Sequence, residues 1–369
     1  MTPASAAALA DRRSVSRRRK AALLPTRQAV LVLVLKAGLL PALLAIVLAL
    51  ASCGEKHDVI SAASTKPFNV MLDFFPNADH APLYAAIAHG DFRAVGLEVH
   101  LQTPADPSEP LKLLAAGRVD PAISYEPEVL LARDKGLSVV SIAALVQRPL
   151  TSIIALPSAR VRSIADLAHK TVGTAGIAYQ SAELRTALQD ARVAPSSVRE
   201  VNVGFNLVPA MLSRKVAATL GGFWNYEAIQ LEQRGKKPVV IPVDRAGVPG
   251  YDELVLVVRA DEARKRGQDL RAFLQALTRG EREVRASPAA AAALVLAANP
   301  ALERKLQLAS IEQTLPATVP SVAGKPYGWQ DESAWKSFAA WMYSRQLLAH
   351  NPAAGPPPLT NEFLPGEGI

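Results

Sequence analysis

Three short stretches, FNVMLDF at residues 68–74, APLYAAIAH at 81–89 and LEVHLQ at 97–102, follow one another within 35 residues. The first is an apolar run of strand length. In the third, Leu97, Val99 and Leu101 alternate with Glu98, His100 and Gln102, the period of two of a strand with one face covered. The segment between them suits a helix, stopped at Gly90. Strand, helix, strand at this spacing is a βαβ unit, which predicts a parallel sheet with helices on both faces.

The pattern continues downstream. Ser108 is placed to cap a helix with Pro110 in its first turn and Leu111, Leu114 and Ala115 on one face, ended by Gly117. Val119–Ser124 and Val139–Leu145 are further strand candidates. A second unit begins near residue 157. Ser163 and Asp166 form a capping-box variant, Thr171–Thr174 reads as a strand, Ala182–Asp190 as a helix and Val198–Val203 as a strand. Pro209–Lys215 fits a helix and Pro238–Val243 a strand. Glu253–Val258 is a continuous apolar run of the kind buried in a parallel sheet. Everything after Asp261 reads as helix, over 264–285, 288–298 and 333–348. The Ala-rich run 289–298 is about half of the roughly 20 residues that span a bilayer, so it is a packed helix. The expected division is 67–155 plus 250–350 for one lobe, 156–249 for the other, and a Pro-rich tail at 351–369, either an extended surface strap or disordered.

Charge is concentrated at the start of the chain. Residues 1–52 hold eight basic residues and the single acid Asp11, which places +7 of the net +8 before residue 53. The remainder is nearly neutral, so the basic balance lends no support to nucleic-acid binding. A basic stretch, the apolar run 37–51 and small residues before Cys53 describe a signal peptide over 1–52. Leu50-Ala51-Ser52-Cys53 resembles the lipobox of bacterial lipoproteins, in which the cysteine is acylated and becomes the first mature residue. The alternative is an uncleaved anchor with an incidental cysteine. Residues 53–66 then read as a tether on the extracytoplasmic side of a membrane. With Cys53, the only cysteine, acylated, no thiol remains for a disulfide, a zinc site or a nucleophile.

Ligands of open α/β sheets sit beyond the carboxyl ends of strands and between lobes. The segments there are 73–80 (DFFPNADH), 124–128 (SYEPE), 174–181 (TAGIAYQS) and 221–227 (GGFWNYE). Aromatic residues make up only 5% of the chain, so Phe74, Phe75, Tyr125, Tyr179, Phe223, Trp224 and Tyr226 are a concentration of a scarce type. Aromatic faces beside amides and carboxylates suit a flat heterocycle, stacked on its faces and hydrogen-bonded at its edge. The candidates for ligand binding are Phe74, Asn77, His80, Tyr125, Tyr179, Ser181, Trp224, Asn225 and Glu227. Each has a plainer reading: Phe74 and Trp224 as core, Asn77 as a turn residue, Tyr125 as a lobe-interface group. Asp79 is read as a helix cap, and Tyr251-Asp252-Glu253 as the entry to a hinge strand. A loop at Gly176–Ser181 could offer backbone N–H groups to a polar ligand.

These motifs, together with 106–108 (DPS) and 115–120 (AAGRVD), resemble in order those of bacterial binding proteins for thiamine pyrimidine precursors. The resemblance covers about residues 67–260. It implies the two-lobed α/β fold of type 2 periplasmic binding proteins, with the ligand cleft between the lobes. The implied ligand is an aminopyrimidine, hydroxymethylpyrimidine or formylaminopyrimidine. The implied partners are an ABC permease and its ATPase subunit. Other solutes, a sulfonate or a riboflavin-like ring, are the alternative. An enzymatic branch, the fungal pyrimidine synthases, resembles the chain near His80 but carries a cysteine-rich motif that this chain lacks. The six histidines (57, 80, 89, 100, 169, 350) show no metal-ligand spacing. No cofactor is expected.

Overall fold

The structure, a computed structural model, describes residues 65–366. The expected signal peptide, Cys53 and most of the tether lie outside the described residues. Among the described residues ten strands form two five-stranded sheets. The first lobe orders them β2-β1-β3-β10-β4, with β1 Lys66–Met71, β2 Leu97–Gln102, β3 Ala122–Ser124, β4 Val139–Val146 and β10 Leu254–Arg259. The second orders β7-β6-β8-β5-β9, with β5 Thr151–Ala155, β6 Thr171–Thr174, β7 Arg199–Asn202, β8 Ala218–Phe223 and β9 Val239–Pro242. The opening βαβ unit folds as read: β1 and β2 pair in parallel with Phe68 opposite Val99. Between them run the helices α1 Ala81–Ala88 and α2 Asp91–Ala94.

The remaining helices before β10 are α3 Pro110–Ala115, α4 Glu126–Asp134, α5 Ala178–Asp190, α6 Leu207–Leu212 and α7 Glu227–Gln233. The C-terminal part contributes α8 Ala260–Lys265, α9 Gly267–Ala286, α10 Pro288–Ala298, α11 Arg304–Thr314 and α12 Glu332–Ser344. Leu270, Phe273, Leu274, Leu277 and Val284 form the buried face of α9, which lies along α1. Gly280 permits that approach, because a Cβ there would stand 2.2 Å from the carbonyl oxygen of Pro82.

The chain crosses between the sheets twice, over 147–150 and over 243–253. Two expectations are corrected by these crossings. Thr151–Ala155 belongs to the second sheet, so the lobe boundary falls before residue 151 and not after 155. The sheets are also mixed rather than parallel: β10 runs antiparallel to β3 and β4, and β5 runs antiparallel to β8 and β9. The direction follows from the path. In each lobe one strand runs toward the junction to leave and another runs away from it on entering, so β4 and β10, and β9 and β5, lie side by side in opposite directions.

Two local readings also change. Ser108 does not cap α3; Glu109 holds the N-cap position without a side-chain cap bond. The tail is a strap, but an anchored one. Leu359 bridges Ser141 on the outer strand β4, and Leu359, Phe363 and Leu364 are buried. Covering an open sheet edge in this way blocks strand addition by another chain.

Candidate functional site

The first lobe brings one acid to the lobe junction. Asp73 follows β1 and is 1% exposed. Its Oδ2 accepts from the Tyr125 hydroxyl at 2.7 Å and its Oδ1 lies 2.8 Å from His80 Nε2. The other imidazole nitrogen, Nδ1, accepts from the backbone N–H of Asn77 at 3.2 Å, which puts the ring proton on Nε2, toward Asp73. Asn77 closes the same turn: its Oδ1 accepts from the Asp79 N–H, and its Nδ2 donates to the Phe75 carbonyl. The capping residue is therefore Asn77, not Asp79.

The second lobe brings the other acid. Glu227 opens α7, and its Oε2 accepts from the backbone N–H of Phe223 at 2.8 Å. Burial pushes its carboxyl up to about 7, and the nearby Asp79 and Asp73 charges add to the effect while the backbone bonds oppose it. Gly221, at φ +102°, permits Gln180 to lie against the end of β8; a Cβ there would meet the Gln180 amide nitrogen at 2.3 Å.

A narrow cleft opens between these segments. Asp73, Phe74, Asn77 and Tyr125 line it from the first lobe, and Ala175, Ile177, Gln180, Gly221, Phe223, Tyr226 and Glu227 from the second. Among the described residues no arginine or lysine lines it. Aromatic packing frames it: Phe74 meets Phe75 at 4.6 Å and Phe205 at 4.7 Å, and Tyr125 meets Tyr179 at 5.0 Å.

Of the nine expected ligand residues, the structure brings four to the cleft: Phe74, Asn77, Tyr125 and Glu227. The other five are placed elsewhere, for separate reasons. His80 stands behind Asp73 with both nitrogens engaged. Tyr179 is buried against Tyr125, its hydroxyl 3.4 Å from Thr151 Oγ1. Ser181 donates to Glu200 at 2.6 Å near the outer strand β7. Trp224 is half-buried and its indole N–H donates to the Pro149 carbonyl, in the first crossing. Asn225 is wholly buried and donates to Asp79 and Thr314. In the loop before α5 the Ala175 N–H is held by Gln180 Oε1. Asp73 and Gln180 are among the cleft residues that the candidate set lacked. Both stand inside quoted segments, and an acid directly after an apolar strand is the signal for Asp73.

Residues 251–253 close the second crossing, directly before β10. Glu253 Oε2 accepts from the N–H groups of Leu150 at 2.6 Å and Thr151 at 2.8 Å, so a carboxylate of the second crossing grips the first. Burial raises this carboxyl to about 7 as well. A larger cavity lies under the tail strap, lined by Leu130, Leu137, Trp335 and Leu348. Two of its polar neighbours are committed to the strap: Arg133 donates to the Pro356 carbonyl, and Asp134 accepts from the N–H groups of Ala349 and His350.

The sequence profile described as "NMT1/THI5 like" matches residues 77–291, more than half of the chain. A formylaminopyrimidine-binding protein from Halalkalibacterium halodurans is 33% identical over 83% of this chain and 93% of its own length. The chain belongs to the NMT1/THI5-like family. Proteins named as enzymes are also similar to the chain. A 4-amino-5-hydroxymethyl-2-methylpyrimidine phosphate synthase from Legionella pneumophila is 27% identical over 67% of this chain and 78% of its own. Among solved structures, the alkanesulfonate-binding protein from Xanthomonas axonopodis pv. citri superposes with a TM-score of 0.60 at 15% identity, covering 79% of this chain and 96% of the other. This NMT1/THI5-like chain thus has the two-lobed fold of periplasmic binding proteins.

Proposed function

We propose that this protein is the extracytoplasmic solute-binding component of an ABC importer and that its solute is a thiamine pyrimidine precursor, hydroxymethylpyrimidine or formylaminopyrimidine. The observation that carries the reading is the cleft chemistry: two carboxylates, Asp73 and Glu227, between aromatic side chains, with no lysine or arginine in the lining. A ring nitrogen beside an exocyclic amine meets both oxygens of one carboxylate. A Glu227 carboxyl that titrates near neutral pH can share its proton with such a ring, giving a charge-assisted, two-pronged contact. A sulfonate would face two acids with no compensating cation, and a phosphorylated pyrimidine would meet the same opposition. That argument favours a binder of the neutral precursor over a synthase that makes the phosphate ester. Cys53 is the proposed lipid attachment point, and the loaded protein delivers its solute to a permease whose ATPase partner supplies the energy. The lobes close about the two crossing strands in the course of capture.

Calorimetry with hydroxymethylpyrimidine, formylaminopyrimidine and an aliphatic sulfonate tests the reading. Tight binding of a pyrimidine and none of the sulfonate is the expected result; the reverse order would overturn it.

A further inference from the structure

Gln307, Ser310 and Thr314 lie at i, i+3 and i+7 on α11, so they share one face, and all three are buried. That face meets the second lobe at Asn225 and Tyr226. Asn225 Nδ2 donates to Thr314 Oγ1 at 2.6 Å and to Asp79 Oδ1 at 2.7 Å, and Thr314 Oγ1 lies 2.9 Å from the same Asp79 oxygen. Gln307 Nε2 donates to the Tyr226 hydroxyl at 3.1 Å. Asp79 and α11 pack together in the first lobe, whereas Asn225 and Tyr226 follow β8 of the second. The hydrogen bonds therefore cross from lobe to lobe.

The seam is polar and only partly satisfied. Asp79 Oδ2, Asn225 Oδ1, Gln307 Oε1 and Ser310 Oγ are buried without a hydrogen-bond partner. A permanent interface seldom leaves so many polar atoms unpaired, since each costs free energy that hydration would return. An interface that parts regains that hydration whenever it opens, so closure is favoured only modestly. The same turn also carries Glu227, two residues beyond Asn225, at the cleft. A ligand that draws on Glu227 thus acts on the segment that holds the seam.

We infer that Asn225 and Thr314, with Asp79, form a closure latch: positioning residues that set the closed fraction of the ligand-free protein without touching the solute. The apparent affinity for any solute then scales with that fraction. The affinity arm of the test rests on the pyrimidine reading above; the conformational arm does not.

The test compares Asn225→Ala, Thr314→Val and Thr314→Ser with the wild type by small-angle X-ray scattering and calorimetry. The first two should enlarge the radius of gyration of the ligand-free protein. Saturating hydroxymethylpyrimidine should return it to the wild-type value. Both should weaken hydroxymethylpyrimidine and formylaminopyrimidine by the same factor, roughly tenfold. Thr314→Ser keeps the hydroxyl and should match the wild type in both measurements. Thr314→Val is nearly isosteric and serves if Asn225→Ala fails to fold. A ligand-free radius unchanged in every folded member of that pair overturns the latch, as does an affinity loss confined to one of the two pyrimidines. If the wild type binds neither pyrimidine, the proposed solute is wrong, and the ligand-free radii still decide the latch.

Discussion

The segment after β1 and the segment after β8 are written in nearly the same residues and use them in opposite ways. The first runs Phe74-Phe75-Pro76-Asn77-Ala78-Asp79 and the second Phe223-Trp224-Asn225-Tyr226-Glu227. In the first, the asparagine stays at home as a helix cap and the acid beyond it reaches across to the other lobe. In the second, the asparagine crosses and the acid stays at the cleft. The start of the helix decides which. A helical turn begins directly after Asn77, so the Asn77 oxygen is taken by the Asp79 N–H. The helix after β8 begins two residues past Asn225, which leaves that side chain outside the cap and turns Glu227 back toward the Phe223 N–H. Residue type names the chemistry available; the helix boundary assigns it a direction.

The two cleft acids differ correspondingly in what holds them, and the largest expected effect exploits this. Asp73 is held by the side chains of Tyr125 and His80, both buried. Asp73→Ala leaves a hydroxyl and an imidazole N–H without partners, at about 1–3 kcal/mol each, so a stability loss of roughly 3 kcal/mol is expected by chemical denaturation of the ligand-free protein. A loss below about 1 kcal/mol would mean that the side-chain brace contributes nothing.

Glu227 is held by a backbone N–H, so its substitution should register in binding instead. Glu227→Gln keeps the shape, removes the charge and turns a donor toward the ligand's amine. A loss of at least about tenfold is expected for hydroxymethylpyrimidine, from the roughly 1.5–3 kcal/mol of a charge-assisted bond. A pyrimidine lacking the amine should bind weakly to both proteins, with little difference between them. Equal binding of hydroxymethylpyrimidine to the variant and the wild type would show that this carboxylate does not read the ring.

Much of the frame was legible because it is periodic. The alternation at 97–102 and the apolar runs at 68–74 and 139–145 mark strands that the structure contains. The strands β5 and β8 were not legible. Thr151-Ser152 opens the one with polar side chains directly after a Pro-Leu pair, and Gly221-Gly222 closes the other with residues that read as loop. Strand direction was hidden as well, because Leu254–Arg259 has the same apolar composition whether it runs parallel or antiparallel. At the site, the segments were legible and the facing of their side chains was not. The helix α5 starts at Ala178 rather than Ala182, and its added turn carries Ser181 toward β7. Trp224 was the natural stacking residue by type, but its indole N–H found a carbonyl in the crossing.

The raised carboxyls of both lobes give a pH test of smaller size. Burial pushes Glu128 in the first lobe, Glu227 in the second and Glu253 between them up to about 7. Between the ordinary glutamate value near 4.5 and pH 7 the folded protein holds protons that the unfolded chain has released. The contribution of these groups is therefore complete below about pH 4.5 and is lost as pH rises through 7. The ligand-free protein should melt higher at pH 5 than at pH 8, by at least about 2–4 °C, the shift that accompanies 1 kcal/mol in a protein of this class. A melting temperature that climbs over the same interval would contradict the burial of these acids.

The smallest expected effect comes from neighbours on one turn of α5. Gln180 and Ser181 are adjacent, yet Gln180 lines the cleft and its Oε1 holds the Ala175 N–H, whereas Ser181 donates to Glu200 on the outer side. Glu200 keeps a second donor, Thr174 Oγ1 at 3.2 Å, when the serine hydroxyl is removed. Ser181→Ala should therefore change stability by no more than about 0.5 kcal/mol, the usual range for surface substitutions. Its hydroxymethylpyrimidine affinity should stay within about twofold of the wild type. Gln180→Ala, one residue away, should weaken binding by several-fold, because it frees the Ala175 N–H and opens the space beside Gly221. If Ser181→Ala instead matches the loss in Gln180→Ala, the turn rotates on binding and the loop before α5 takes part in capture. The division of this helix between a cleft side and an outer side would then hold only for the ligand-free arrangement.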